Sequence, residues 1–172
     1  MNSAKRRCEI MEYLKKQNTP ITGSELAEKM GVSRQVIVTD IALLRAKGEE
    51  ILATPQGYVL VSSIAEMDYK ATIVCKHTKD QIREELSTIL ELGGKIIDVT
   101  VEHPLYGELK GMLMINSFKD LEEFITRMEK TNAKPLSALT EGVHLHTIKA
   151  PQEDILKEIK HALTVQGFLI KE

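Results

Sequence analysis

The sequence is poor in the residues that build disulfide-linked or membrane-spanning proteins. It has two cysteines, no tryptophan, three phenylalanines and four tyrosines among 172 residues. Two cysteines cannot form a disulfide framework. No apolar run approaches the roughly 18 residues of a membrane span, and no signal peptide is visible. We therefore expect a cytoplasmic protein with no membrane partner.

Net charge is also small, −2, but it is unevenly distributed. Residues 1–62 contain 9 Lys+Arg and 7 Asp+Glu, whereas the remainder contains 14 and 18. An acidic segment adds little attraction for DNA phosphates, so any DNA contacts must come from the N-terminal part. We predict two domains, residues 1–62 and 63–172, joined by a short linker at residues 61–68.

Two helical patterns near the N-terminus predict a DNA-binding motif. Residues 24–30 and 34–45 carry apolar side chains at helical spacing, with a turn at 30–32. We expect Ser24 to begin the first helix and Ser33 the second, since a serine oxygen accepts an unpaired backbone N–H there. This is a helix-turn-helix, whose second helix enters the major groove. The predicted DNA-contacting residues are Ser33, Arg34, Gln35, Val38 and Thr39.

The flanking segments extend this motif to a winged helix. Residues 4–16 predict a further helix that begins with Lys5, Arg6 and Arg7, of which Lys5 and Arg6 are expected to contact phosphates. Apolar runs on both sides of Gly57 predict a β-hairpin. The segment also contains Val32-Ser33, Asp40-Ile41, Leu44-Arg45, Gly48 and Gly57-Tyr58. This pattern resembles the winged helix-turn-helix of biotin-repressor-like and DeoR-like regulators, which implies binding to double-stranded operator DNA. Such proteins usually bind paired half-sites, so we expect a homodimer.

The rest of the chain predicts an α+β domain. Strand patterns occur at 69–76, 95–103, 108–116 and 143–150, and helical patterns at 82–90, 117–128 and 151–163. This order, β-α-β-β-α-β with a terminal helix, predicts a ferredoxin-like fold. Its expected strand order in space is fourth, first, third, second, which makes the first and fourth strands antiparallel neighbours.

Three of the five histidines converge under this topology. His144 and His146 share one face of the fourth strand, and His77 ends the first. Glu84 and Glu85, on the following helix, are alternative carboxylates, of which Glu85 is the better placed. Three imidazoles and a carboxylate suit a divalent transition metal, with nickel, zinc and iron not distinguishable.

The apolar residues of the fourth strand oppose this convergence. Val143 and Leu145 have the character of a core face, so we expect His144 and His146 on the open face of the sheet. His77 must then turn at the end of its strand to join them.

After the winged helix, the sequence contains His77, the turn His103-Pro104-Leu105-Tyr106-Gly107, and His144-x-His146. In this combination the chain resembles the 3H-domain family of niacin-responsive repressors over essentially its whole length. This resemblance implies a repressor of genes for NAD synthesis or niacin uptake, with nicotinic acid as co-repressor. It also implies one metal ion per chain, bound by His77, Glu85, His144 and His146, in a domain that also dimerises. His103 and Tyr106 are our candidates for effector binding.

Two other functions remain alternatives at this stage. One is a metal-responsive repressor with no organic effector. The other is a metal hydrolase fused to a DNA-binding domain, since three protein ligands and a water permit hydrolysis. The sequence contains no P-loop, nucleophile elbow or HExxH motif, so we expect no enzyme.

Overall fold

The computed structural model describes residues 2–63 and 68–171. The chain divides into two compact units between residues 66 and 67. The helices are α1 (Ser3–Lys15), α2 (Gly23–Met30), α3 (Arg34–Ala46), α4 (Ile82–Glu91), α5 (Phe118–Thr131) and α6 (Glu153–Val165). The strands are β1 (Ile51–Thr54), β2 (Gly57–Leu60), β3 (Tyr69–Lys76), β4 (Lys95–His103), β5 (Gly107–Ile115) and β6 (Val143–Ala150). Short 3₁₀ helices span Val61–Ser63, Lys79–Gln81 and Leu136–Thr140. Within the predicted linker 61–68, residues 64–67 lie outside the described residues.

The N-terminal unit is a helix-turn-helix with a β-hairpin, as predicted. Apolar side chains of α1, α2, α3 and the hairpin form one buried cluster. β1 and β2 are antiparallel, with Ile51 opposite Leu60 and Thr54 opposite Gly57. Gly57 has φ +126°, and a Cβ there would lie 2.2 Å from the carbonyl oxygen of Ile21. Only glycine therefore permits this close approach of the hairpin to the chain before α2.

The sequence predicts the capping residue of α3 correctly but not that of α2. Ser33 caps α3 as expected, its oxygen accepting the N–H of Val36. Ser24 does not cap α2. The cap is Thr22, whose oxygen accepts the N–H of Glu25 while the Glu25 carboxylate accepts the N–H of Thr22. This reciprocal capping box satisfies two unpaired donors, which a serine inside the first turn does not do.

The C-terminal unit has the predicted β-α-β-β-α-β order followed by a helix. Its sheet is antiparallel throughout, in the order β3-β6-β4-β5. The predicted spatial order is therefore wrong: the fourth strand lies inside the sheet and the first lies on its edge. The exposure of the two strands agrees with the observed order. β3 exposes Tyr69, Lys70, Thr72 and Lys76, whereas every residue of β6 is buried or half-buried. Polar residues suit an edge strand, where they discourage pairing with another chain.

The core of this unit lies between one face of the sheet and all three helices. The strands contribute Ile73, Ile96, Ile115 and Ile148 to this cluster, and residues of α4, α5 and α6 pack against them. Full burial of one such side chain contributes about 1.5–3 kcal/mol. The opposite face of the sheet carries the half-buried residues of β6. Buried side chains of β6 that point toward the helices therefore lie in or beside this packed core.

Candidate metal centre and DNA-binding helix

Strand register brings the histidines together on the helix-covered face. In the β3–β6 pair, His144 lies opposite Cys75, which belongs to the core. Side chains alternate along a strand, so His146 shares this face. Both histidines are buried. The expectation that they lie on the open face is therefore wrong, because the half-buried Val143 and Leu145 occupy that face instead.

The carboxylate of Glu85 lies at the centre of the cluster. Its Oε2 is 2.5 Å from Nε2 of His77, and its Oε1 is 3.3 Å from Nε2 of His144. Nε2 of His146 lies 3.4 Å from Oε2. Glu85 is 1% exposed, whereas Glu84 is exposed. The structure thus brings one of the two alternative carboxylates to the histidines.

Each imidazole is oriented by a hydrogen bond from its other nitrogen. Nδ1 lies 2.7–2.8 Å from a backbone carbonyl oxygen in all three rings. The pairs are His77 with Thr78, His144 with Gly142 and His146 with Asp98. A carbonyl oxygen only accepts, so Nδ1 carries the proton and donates it. Nε2 is therefore the nitrogen presented to the centre of the cluster, as in metal sites where the second nitrogen fixes the ring.

Two of these carbonyls depend on backbone features that the sequence analysis missed. A register shift between Ile96 and Asp98 interrupts the pairing of β4 with β6. There the Asp98 side chain accepts the N–H of Thr147, while its carbonyl accepts from His146. Gly142, at φ +92°, supplies the carbonyl for His144. Its position directly before β6 is the only sequence signal for this role.

The pKa shifts in the cluster favour an ionised Glu85 next to protonated His77 and His146. Burial raises the pKa of Glu85, but the charge of His146 and the hydrogen bonds of the histidines outweigh this and hold it well below its usual range. Burial lowers the pKa of His77 and of His146, but Glu85 outweighs it, so both are raised. Burial, with Glu85 nearby, raises the pKa of the Cys75 thiol. The cluster therefore combines a buried anion with imidazoles that hold their protons more tightly than usual.

These donors fit a divalent transition metal. Ligand atoms of His77, Glu85 and His144 all lie within 4.8 Å of one another, and Nε2 of His146 approaches the same carboxylate. Three neutral imidazoles and one carboxylate match the nitrogen and oxygen ligands of zinc, nickel and iron. An ion would replace the protons that otherwise lie between the imidazoles and the carboxylate.

The hairpin residues predicted to bind an effector lie elsewhere. His103 ends β4 and Tyr106 lies in the turn before β5, where the Nδ1 of His103 accepts the N–H groups of Leu105 and Tyr106. The two rings are 5.0 Å apart, and Tyr106 is 70% exposed. Neither residue lines the cavity at the histidines or the cleft beside it.

Helix α3 presents the predicted DNA-contacting side chains at its start. Ser33, Arg34, Gln35 and Thr39 are exposed and Val38 is half-buried. The opposite face, with Ile37, Ile41 and Leu44, is buried in the core. The start of α3 is therefore available to base edges in the way that a recognition helix requires.

Two of the basic residues at the start of α1 form ion pairs with α3. Nε of Arg6 lies 2.6 Å from Asp40 and a guanidinium nitrogen of Arg7 lies 3.2 Å from it. Asp40 belongs to α3 and is 2% exposed. Charged hydrogen bonds of this kind contribute about 1.5–3 kcal/mol. Arg6 and Arg7 thus fasten α1 to α3, whereas Lys5 is exposed.

Comparison with known proteins matches both units to described domains. A 3H domain model matches residues 70–172, and a helix-turn-helix domain model matches residues 6–59. The chain is 44% identical over 163 residues to a protein named probable transcription repressor NiaR of Thermotoga maritima, covering 95% of this chain and 92% of the relative. It is also 44% identical over 171 residues to transcription repressor NadR of Bacillus subtilis, covering 98% and 95%.

The class of protein follows from these matches together with the exposed recognition helix. Both relatives are named as repressors, so the chain is a DNA-binding regulator and not an enzyme. In the described part of the chain, no helix is long and apolar enough to cross a membrane. The protein belongs to the 3H-domain family of transcription repressors, with an N-terminal helix-turn-helix domain.

Proposed function

We propose that this repressor binds one divalent transition metal ion per chain and responds to nicotinic acid, so that it controls genes for NAD synthesis or niacin uptake. One observation carries the proposal: three Nε2 atoms converge on a buried carboxylate, with each Nδ1 committed to a backbone carbonyl. His77, Glu85, His144 and His146 would hold the ion. The resemblance to niacin-responsive repressors is the reason for proposing nicotinic acid as the organic effector.

The ion would supply a fixed positive charge where the protein has a buried anion. The protein's own groups then have two tasks. The backbone carbonyls of Thr78, Gly142 and Asp98 hold the imidazole rings. Glu85 links α4 to β6 through its contacts with the histidines. An ion bound to these residues therefore affects how α4 packs against the sheet. A ligand that binds one packing arrangement more tightly shifts the protein toward that arrangement.

DNA recognition belongs in this proposal to residues 1–62. Ser33, Arg34, Gln35, Val38 and Thr39 would face the major groove, and residues 63–172 would bind effector and metal and join two chains. A homodimer presents two recognition helices to paired half-sites. The N-terminal segment has a net charge of only +2, so doubling the contacts matters for affinity. A repressor acts where its DNA is, so we place it in the cytoplasm.

Operator titration with and without nicotinic acid tests the effector. For metal-loaded wild type, we expect nicotinic acid to tighten operator binding by about 5- to 150-fold, the usual range for coupled sites. His144→Ala should abolish the response, because His144 is one of the predicted metal ligands. His161→Ala is the matched control, since His161 is exposed on α6. Equal wild-type affinity in both conditions would contradict the proposal.

A metal-responsive repressor with no organic effector is the second candidate function. Four protein donors are enough to complete a tetrahedral site, and closed sites of that kind need no further ligand. The same titration separates the two candidates. In this case, operator affinity follows the metal and is independent of nicotinic acid.

Substitutions on α3 test the DNA interface. We expect Arg34→Ala and Gln35→Ala to reduce discrimination between operator and unrelated DNA by about 1–3 kcal/mol each, the usual contribution of a base contact. Lys5→Ala should weaken binding to both DNAs alike, because a phosphate contact is independent of sequence. Competition binding at fixed salt measures both effects. Full discrimination in both α3 variants would show that the bases are read elsewhere.

A further inference from the structure

Two adjoining cavities in the C-terminal unit differ in the size of the ligand that each can hold. The inner cavity, at the histidines and Glu85, measures about 40 Å³. A single water needs roughly 10–15 Å³ on this measure, so the cavity suits an ion with a ligand atom or two. The outer cleft measures about 500 Å³. The two share His77, Pro135 and Ser137. A ligand with an aromatic ring therefore fits in the outer cleft, beside the ion.

The charged residues of the outer cleft favour binding of an anion near Lys79. Its charged lining residues are Lys76, Lys79 and Glu141. Lys76 precedes His77 at the end of β3, where alternation directs its side chain to the other face of the sheet. Nζ of Lys79 donates to the carbonyl oxygen of Ala133 at 3.4 Å. Among the described residues, no carboxylate forms an ion pair with Lys79.

We propose that the ammonium of Lys79 binds the carboxylate of the effector and thereby selects the acid over the amide. This inference rests on the proposed function, in which residues 63–172 bind both nicotinic acid and the metal. The walls contributed by Pro135, Ala138 and Gly142 are apolar or backbone surfaces that suit a flat ring. His77, Glu85, His144 and His146 already supply the four ligands of a tetrahedral ion, so the carboxylate of the effector is left to the outer cleft. Lys79 then supplies the compensating charge, whereas a neutral amide gains nothing from it.

Calorimetric titration of the metal-loaded full chain with nicotinate and with nicotinamide tests the proposal. We expect wild type to prefer nicotinate. Lys79→Ala should weaken nicotinate binding by about tenfold, the equivalent of one charged hydrogen bond, and leave nicotinamide binding unchanged. Lys79→Arg keeps the charge and should keep the preference. Lys160→Ala, which removes a lysine from the exposed side of α6, is the matched control.

Each outcome of this titration has a distinct meaning. Metal content should be equal in all variants, because Lys79 is not among the proposed ligands. Equal nicotinate affinity in wild type and Lys79→Ala overturns the role of Lys79 and leaves the proposed function intact. A parallel loss for acid and amide also overturns it, since the residue would then only shape the cleft. If wild type binds no nicotinate, the proposed function and this inference both fail.

Discussion

Replacing His144 with alanine is expected to remove most of the bound metal. The change deletes one imidazole and leaves Glu85 with two, so metal affinity should fall by more than the 10- to 100-fold typical of losing an outer-shell partner. Glu85→Gln should have a similar effect, because it removes the charge that attracts the ion and keeps the size of the side chain. Elemental analysis after dialysis at fixed metal concentration measures both.

A control variant and a measurement of folding distinguish loss of metal from unfolding. His161→Ala changes an exposed histidine and should retain wild-type metal content. The core of the C-terminal unit consists of apolar side chains of the sheet and of all three helices, which His144→Ala leaves in place. Circular dichroism of His144→Ala should therefore match that of wild type. Wild-type metal content in both His144→Ala and His146→Ala would show that the ion binds elsewhere.

Metal binding should also depend on Gly142, although this residue offers no ligand atom. A Cβ at Gly142 would lie 2.4 Å from the carbonyl oxygen of His77. The Gly142 carbonyl accepts the Nδ1–H of His144 at 2.8 Å and the N–H of His77 at 3.4 Å. Gly142→Ala must push these groups apart, so we expect metal affinity to fall at least about tenfold, as for loss of an outer-shell partner.

Gly107→Ala is the matched control for this substitution. Gly107 also has a positive φ, +71°, but a Cβ there would meet nothing within 4 Å. Both variants carry the strain of a left-handed residue, about 1–2 kcal/mol, and only Gly142→Ala adds the clash. Thermal unfolding of the metal-free proteins measures the strain, and metal titration measures the loss of affinity. Equal metal affinities in the two variants would show that the Gly142 peptide does not position the histidines.

Local patterns in the sequence determined the elements and the class of protein. Helical spacing of apolar residues predicted α2 and α3, and Ser33 caps the recognition helix as its side-chain chemistry requires. Alternation predicted β3 and β6 with their observed ends. The period-two spacing of His144 and His146 placed both side chains on one face of a strand. These features depend on neighbours within a few residues, and sequence records them directly.

Only the tertiary structure decided the strand order and the face that the histidines occupy. Alternation shows that His144 and His146 share a face, but not which face the helices cover. Val143 and Leu145 are apolar enough for a core, yet the polar cluster takes the buried side because Glu85 and backbone carbonyls satisfy it there. The register shift at Asp98 and the role of Arg6 at Asp40 likewise join residues far apart in sequence. Such pairings depend on how whole elements pack, which no local pattern contains.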